Sequence, residues 1–154
     1  MNTQFEFEKN HKQACGIESG VNFNKADIGT FREIKDFAME NKELKMVSEG
    51  KVFLHDLLKL TGAEISITSI PANTKAPFLH KHKNNEEIYI VLAGQGIMHI
   101  DDNEINLKEG SIVRVSPDAK RSVDNNSDAE LLVLCIQTKA NSLEGFTLED
   151  AEIV

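Results

Sequence analysis

Cysteine, tryptophan and long apolar runs are scarce or absent in this sequence. It has two cysteines and no tryptophan in 154 residues. The two thiols, Cys15 and Cys135, lie far apart and lack the spacing of a zinc site. No apolar stretch approaches the roughly 20 residues that a membrane helix needs. These absences argue against a disulfide-built secreted domain, a cysteine-ligated metal site and a membrane-spanning or membrane-bound protein.

Basic clusters are also absent, and acidic residues outnumber basic ones. Seventeen lysines and arginines stand against 25 acidic residues, which gives a formal net charge of −8 at pH 7. The basic residues are scattered among the acidic ones, so no patch is suited to neutralise phosphates, and we expect no nucleic-acid partner. The first residues, MNTQFEFEKNHKQ, lack a basic region followed by an apolar one, as a signal peptide would have. We therefore expect a cytoplasmic protein with reduced cysteines.

Changes in the pattern of polar and apolar residues divide the sequence into three segments. Residues 1–49 are mostly polar, and we expect them to form an N-terminal arm. Residues 50–138 contain short apolar segments separated by turn residues. Residues 139–154 are expected to form a C-terminal tail that packs on the middle segment. Because there is neither a repeat nor a long linker, we expect a single folded domain.

One short helix is predicted in the N-terminal arm. Thr30 and Glu33 have the spacing of a capping box. Phe31 and Ile34 begin a series of apolar residues at helical spacing. Together these features predict a short helix over about 31–41.

Alternation of apolar and polar residues predicts that most of the middle segment forms β-strands. Ile65 and Ile67, for example, alternate with Ser66 and Thr68. The segment KVFLHDLLKL fits either a strand or a helical stripe. Strands this short at such regular spacing are typical of an antiparallel sandwich or barrel, so the fold class is all-β. The other segments predicted to form strands are AEISITSI, EIYIVLA, GIMHI, EINL, SIVRV and ELLVLCIQ.

Two histidines and a glutamate in this region have a spacing that suits a metal ion. Residues i and i+2 of a strand point to the same face, so His80 and His82 converge. The chain then turns at residues 83–86, and alternation in the next strand places Glu87 and Tyr89 on one face. If this face meets the histidines, two imidazoles and one carboxylate form the set used by non-haem iron and by three-ligand zinc sites. The alternative is that the histidines are surface residues of a polar hairpin and bind no metal.

The spacing His-x-His-x4-Glu-x6-Gly, from His80 to Gly94, resembles the first motif of the cupins, which are small jelly-roll β-barrels. Thr74 stands where that motif begins with a glycine. The segment GSIVRVSPDAKRSVDN resembles the second cupin motif, with Gly110 as its opening glycine and Asn125 as its closing asparagine. The resemblance implies a single-domain cupin barrel over about residues 50–138, preceded by the N-terminal extension and its short helix.

The second motif departs from the family pattern at Arg121, which replaces a histidine. In the family that histidine is a fourth protein ligand, whereas arginine stays protonated and cannot ligate. Arg121 could form an ion pair with Glu87 and so replace the metal by a salt bridge. Alternatively, it could leave a three-ligand site intact and offer a cation to a bound ligand. A cation close to a divalent metal is repelled unless an anion lies between them, so this second role predicts a carboxylate- or phosphate-bearing ligand.

Several other residues are candidates for the site. Tyr89 lies on the predicted inward face, and Gln137, at the end of the last strong strand, could orient a ligand. His99 could serve as a replacement ligand or contact a substrate if it faces the cavity, although Met98 and Ile100 mark the apolar face of its strand. Three residues are weaker candidates: Glu86 as an alternative carboxylate, His55 in an amphipathic segment and His11 in the polar arm.

The resemblance implies a divalent metal ion (iron, manganese, nickel or zinc) and a small, anionic molecule as its partner. One function is a barrel that binds the metal and the small molecule without turnover. Another is a metal-dependent enzyme, because cupins include dioxygenases, decarboxylases and isomerases or epimerases of small carboxylates or sugars, so the fold alone does not choose a reaction. The third is a metal-free barrel with a Glu87–Arg121 salt bridge. Small cupins commonly form homodimers, and we expect the same here.

Overall fold

A computed structural model describes residues 6–9, 16–41 and 46–154, so His11 and Cys15 lie outside the described residues. Within these ranges the chain is built almost entirely of strands. The only α-helix among them, α1, is a single turn, and no helix there is long and apolar enough to cross a membrane. The strands are β1 (Glu6–Lys9), β2 (Gly16–Ser19), β3 (Asn24–Asp27), β4 (Phe37–Asn41), β5 (Met46–Glu49), β6 (Lys51–Phe53), β7 (Ala63–Ile70), β8 (Asn85–Ala93), β9 (Gln95–Ile100), β10 (Asn103–Lys108), β11 (Ile112–Val115), β12 (Arg121–Asp124) and β13 (Leu131–Lys139), with α1 at His55–Leu58 and 3-10 helices at Phe31–Asp36 and Thr147–Glu149.

Two facing antiparallel sheets form the predicted jelly-roll barrel. The larger sheet has the order β11-β8-β13-β7-β6, and the smaller one has the order β10-β9-β12. Tyr89 and Val91 on β8 and Val133 on β13 pack against Met98 and Leu107 of the smaller sheet. Alternation along β8 buries Glu87 together with Tyr89 and Val91, so the predicted face of this strand is the inward one. The all-β, single-domain barrel predicted from the sequence is confirmed.

The N-terminal segment covers part of the outer face of the larger sheet. Ile34 and Phe37 are buried there against Ile67 and Leu132. Strands β1, β4 and β5 form a separate three-stranded sheet, and β2 and β3 form a hairpin. The barrel core and this outer layer therefore lie on opposite faces of one sheet.

The helix predicted over 31–41 is wrong in its extent and type. A 3-10 helix spans Phe31–Asp36, and the chain then continues as β4. The backbone N–H of Thr30 donates to the Glu33 carboxylate over 2.7 Å, so half of the predicted capping box is present. Beyond Asp36, pairing of β4 with β1 and β5 outweighs the helical spacing of the apolar residues.

The segment KVFLHDLLKL contains both structures that its sequence allows. Its first three residues form β6, which pairs with β7, and α1 follows after Leu54. At the C-terminus of the chain, residues 141–154 are exposed throughout. The division into an arm, a barrel over 50–138 and a tail stays a prediction.

Gly94 closes the first motif at the tight turn between β8 and β9. Its φ of 84° lies in the left-handed region, which favours glycine. A Cβ at this position would also clash with the backbone oxygen of Glu130. The turn therefore requires glycine for two reasons, and it keeps β9 directly after β8.

Candidate metal centre

His80 and His82 lie on an irregular segment between β7 and β8 that runs beside β12. Backbone hydrogen bonds join His80 and Arg121 in both directions, over 3.2 and 2.9 Å. The N–H of His82 donates to the carbonyl of Pro117 over 3.0 Å. The backbone of the second motif therefore holds the two histidines of the first.

Asn125, the closing asparagine of the second motif, anchors the start of the same segment. Its backbone forms an antiparallel bridge with Thr74. Its buried amide group accepts from the N–H and the hydroxyl of Ser127 through Oδ1, and its Nδ2 donates to backbone carbonyls. Because the amide is fully occupied within the protein, Asn125 positions the loop instead of contacting a ligand. The carbonyls within 3.0 Å of Nδ2 belong to Ile70, Pro71 and Ala129.

The side chains of His80, His82 and Glu87 meet at the inner wall of the barrel. Nε2 of His82 lies 3.1 Å from Oε1 of Glu87, and Nε2 of His80 lies 3.9 Å from Oε2. One ligand atom from each residue falls within 4.8 Å of the others. Nitrogen and oxygen ligands lie about 2.0–2.2 Å from a zinc ion, so neighbouring ligand atoms are about 3–4 Å apart. The donor set suits a divalent metal ion, and the two nitrogen–oxygen distances to Glu87 fall in this range.

Glu87 is buried and bonded on both of its oxygens. The Tyr89 hydroxyl donates to Oε2 over 2.7 Å, and the Cys135 thiol contacts Oε1 at 3.6 Å. Burial alone would raise the pKa of Glu87, but the Tyr89 hydrogen bond and the charges of His82, Arg121 and His80 outweigh it, so the pKa lies below its ordinary value. Glu87 is therefore held as a carboxylate, the form that binds a metal.

Tyr89 and Cys135 are correspondingly hard to ionise. Burial, followed by the charge of Glu87, raises the pKa of Tyr89 and raises the pKa of Cys135 to about 12. For His80, burial lowers the pKa despite the nearby Glu87 carboxylate, which favours the neutral imidazole that can ligate a metal. The two acidic hydroxyl and thiol groups are thus hydrogen-bond donors, and neither is an activated nucleophile.

Arg121 points inward and is completely buried. Its Nη1 donates to the carbonyls of Ala119 and Pro117 over 2.8 and 3.2 Å, and its Nη2 donates to the carbonyl of Ser116 over 3.2 Å. Its Nε lies 3.0 Å from Oε2 of Glu87, which is an ion-pair distance. The Nε–H is not aligned well enough to form a hydrogen bond with any described acceptor. We therefore regard the contact with Glu87 as a charge–charge contact without a well-formed hydrogen bond.

A cavity of about 640 Å³ opens beside these residues. This volume is in the range of small-molecule sites. Tyr89 and Gln137 line it, as do the three residues of the candidate metal centre. Arg121 does not line it, because its guanidinium lies behind Glu87 and faces the loop between β11 and β12.

Gln137 connects the candidate metal centre to the neighbouring strand. Its Oε1 accepts from the Asn85 amide over 2.9 Å, and its Nε2 lies 3.3 Å from Nε2 of His82. That histidine nitrogen carries either a proton or a lone pair. With a proton it donates to Glu87, and with a lone pair it accepts from Gln137 or binds a metal. Gln137 therefore contacts a candidate ligand and also faces the cavity.

His99 lies away from this group. Alternation along β9 buries Met98 in the barrel core and turns His99 to the opposite face. There its Nε2 lies 3.1 Å from Asp124 and its Nδ1 lies 3.6 Å from Glu104. The structure does not bring His99 to the cavity, because its side chain leaves β9 on the face opposite the buried Met98.

The two weaker candidates that the structure describes are also separate from the centre. Glu86 points to the outer face of β8, where its carboxylate pairs with Arg114. His55 pairs with the adjacent Asp56 over 2.8 Å at the start of α1. The spacing of the first motif, which places its glutamate at Glu87 and not at Glu86, therefore agrees with the direction of both side chains.

Lys51 is a cavity residue that the sequence analysis did not identify. It lies on β6 at the edge of the larger sheet, and its side chain lines the cavity. Its Nζ lies 4.8 Å from the centre of the Phe53 ring. Burial lowers the pKa of Lys51, while the nearby Cys135, Glu87 and Glu64 act in the opposite direction. The strand pattern in KVFLHDLLKL was the available signal, because pairing with β7 brings Lys51 to the inner face.

Comparison with known proteins places these features in a family. A sequence model described as "Cupin domain" matches residues 66–137. The crystal structure of a cupin protein from Bacteroides fragilis is similar to this chain, with 49% identity and a TM-score of 0.66, and the match covers 68% of this chain and 88% of that one.

Two curated proteins match shorter stretches. An uncharacterized protein of Methanocaldococcus jannaschii is 32% identical over 85 residues, or 55% of this chain, and an oxalate-binding protein of Thermotoga maritima is 33% identical over 60 residues, or 38% of this chain. The match spans 63% of the first protein and 50% of the second.

Proposed function

Because this chain belongs to the cupin superfamily, we propose that it binds a divalent metal ion through His80, His82 and Glu87 and holds a small anionic molecule in the barrel cavity. The observation that carries this proposal is the convergence of two imidazole nitrogens and one carboxylate oxygen within 4.8 Å of one another. When bound, the metal supplies positive charge and open coordination positions for oxygen atoms of a ligand. Iron, manganese, nickel and zinc all accept such a set.

The similarity to an oxalate-binding protein supports an anionic ligand. Oxalate is a small dianion, and a three-ligand divalent metal has a net positive charge of one after Glu87 is counted. The cavity beside the metal ligands is larger than oxalate needs, so the proposal extends to other small carboxylates.

Binding without turnover is better supported than catalysis. Besides the proposed metal ligands, Tyr89 and Cys135 are cavity groups that contact Glu87, and burial raises the pKa of both. Both also donate to Glu87. Neither is suited to remove a proton from a substrate near neutral pH. A dioxygenase, isomerase or epimerase would therefore need a base other than Tyr89 and Cys135.

A metal-free barrel is the second candidate, and a specific contact favours it. The Nε of Arg121 lies 3.0 Å from Oε2 of Glu87, so the arginine already neutralises the carboxylate. Metal binding must compete with this ion pair, or share Glu87 with it through the other oxygen. Because Arg121 is fully buried, salt screens this ion pair much less than it would screen an exposed one.

Metal analysis of the purified full chain, with and without added ions, tests both candidates. The first predicts about one ion per chain in the wild type, lost in Glu87→Ala and kept in the matched control Glu86→Ala, which changes the neighbouring carboxylate on the outer face. Arg121→His should strengthen binding, because it exchanges a repelling cation for a ligand. A wild type that takes up no ion, together with an Arg121→His variant that does, would establish the metal-free barrel.

We also propose a homodimer that forms through the outer face of the larger sheet. Ile112 on β11 is 68% exposed and pairs in register with Ile90 on β8. Ile88 and Ile136 continue the same apolar face. Sedimentation equilibrium should give twice the chain mass, with Ile112→Lys shifting the protein toward the monomer, and a monomer at every wild-type concentration would contradict this.

A further inference from the structure

Building on the proposed function, we propose that Lys51 binds the anion in the cavity and that the ligand is a small dicarboxylate. One carboxylate pairs with the Lys51 ammonium, and the other faces the centre formed by His80, His82 and Glu87. The proposal assigns the ligand's second acid group to a residue on a different strand from the metal ligands.

Lys51 has the location and the free donors that an anion site needs. Its side chain lines the cavity, and its Nζ lies against the face of the Phe53 ring, 4.8 Å from the centre. Among the described carboxylates, none lies within 4.0 Å of Nζ. A partly buried ammonium without an anionic partner is costly, and an anion in the cavity would relieve that cost.

The other cations near the cavity are less suited to this role. Both terminal nitrogens of Arg121 are committed to the loop carbonyls of residues 116–119, and its side chain is absent from the cavity wall. Lys75 lines the cavity but is exposed at its rim. An ion pair there would be weakened by solvent. Lys51 is thus the inward cation on the described part of the wall.

The sheet order and the register set the two charged groups apart in two directions. Lys51 lies on β6 and Glu87 lies on β8, with β7 and β13 between them, which is three strand spacings or about 14 Å across the sheet. Along the strands, Lys51 aligns through Thr68 and Val133 with Val91 of β8, four residues beyond Glu87. Both Lys51 and Glu87 line the cavity. A molecule with an acid group at each end would meet the ammonium on one side and the metal on the other.

Calorimetric titration of the metal-loaded full chain with oxalate, malonate and succinate tests this assignment. For the dicarboxylate that binds the wild type best, Lys51→Gln should weaken binding by about tenfold or more, because it removes a charge-assisted contact. Lys51→Arg should remain within about threefold of the wild type, since the charge is kept. Lys75→Gln, which removes a lysine from the rim of the same cavity, serves as the matched control and should bind as the wild type does.

Two safeguards separate failure of this proposal from failure of the proposed function. The metal content of each variant is measured in the same samples, and Lys51→Met, which keeps the packing on Phe53, repeats the test if Lys51→Gln folds poorly. Equal binding by Lys51→Gln and the wild type, or an equal loss in Lys75→Gln, would overturn the role of Lys51 and leave the metal centre standing. Binding of none of the three dicarboxylates would overturn the ligand class.

A wild type without metal would overturn the proposed function alone. Titration of the metal-free chain then still decides the role of Lys51. Dicarboxylate binding that Lys51→Gln loses supports that role, and binding that Lys51→Gln keeps overturns it.

Discussion

His80 and Arg121 face each other across one backbone bridge, but their side chains have opposite environments. The side chain of His80 is 39% exposed and opens to the cavity, whereas that of Arg121 is fully buried. Both approach the same residue, Glu87, from different sides. The first motif thus places its histidine where a molecule in the cavity can reach it. The matching position of the second motif instead holds the protein's own loop.

The largest expected difference between the two positions is in stability. Arg121→Met should lower the free energy of unfolding by about 3–5 kcal/mol, because it leaves Glu87 buried without its cation and three loop carbonyls without donors. His80→Ala, the matched change across the bridge, should cost less than about 0.5 kcal/mol, as expected for a partly exposed side chain. Urea unfolding of the metal-free chains measures both. Similar losses in the two variants would contradict the distinction between a ligand position and a structural position.

The second prediction concerns the loop that carries the histidines. Asn125→Ala should lower the free energy of unfolding by about 2 kcal/mol, because the buried partners of the amide lose their hydrogen bonds. It should also weaken metal binding, since the segment from Thr74 to His82 loses its anchor at one end. The exposed neighbour Asn126 offers a matched control, and Asn126→Ala should change neither quantity. Normal metal affinity in a destabilised Asn125→Ala would show that the loop is positioned by the backbone bridges alone.

The smallest expected effect concerns Glu87, which residues of both motifs contact, and it depends on pH. Tyr89→Phe removes the hydrogen bond to Oε2 and should cost about 1.5 kcal/mol at pH 7 in chelator-treated protein. The folded-state pKa of Glu87 lies below its ordinary value of 4.5. Its ionisation therefore contributes stability that is present above about pH 4.5 and is lost as the pH falls through the folded-state value.

Without the Tyr89 hydroxyl this pKa is less depressed, so less stability is lost in acid. The difference between the wild type and Tyr89→Phe should shrink from pH 7 to pH 3, as measured by denaturant unfolding at both values. An equal difference at the two pH values would mean that the hydroxyl contributes through packing and not through the charge of Glu87.

The barrel was predictable from the sequence because its strands are defined by local patterns. β7 coincides with the predicted segment AEISITSI, and the inward face of β8 follows from simple alternation. β12 carries no such pattern, because its inward residues are Arg121 and Val123. The strands before residue 50 were also missed. β4 pairs with β1, which is distant in sequence, and helical spacing around Phe37 indicated the wrong structure.

The residues of the candidate site were predictable from the sequence, but the contacts between their side chains were not. The spacing from His80 to Glu87 predicted the three converging side chains. It left open whether Arg121 would pair with Glu87 or serve a ligand, because an arginine can reach several partners. Lys51 could not be assigned at all, since its place in the cavity depends on β6 joining the edge of a sheet whose order is set by distant segments.

The three carbonyls held by Arg121 have a consequence for how the protein responds to its surroundings. In a protein whose binding site is held together by a metal ion, the site folds only when the ion is bound. Here the guanidinium of Arg121 donates hydrogen bonds to carbonyls of residues 116–119. One of these carbonyls, that of Pro117, also accepts from the backbone N–H of His82. The cavity can therefore be complete before any ion arrives. If the proposed metal binds, its scarcity would leave the site empty without unfolding the barrel, and the amount of folded protein would not follow the metal supply.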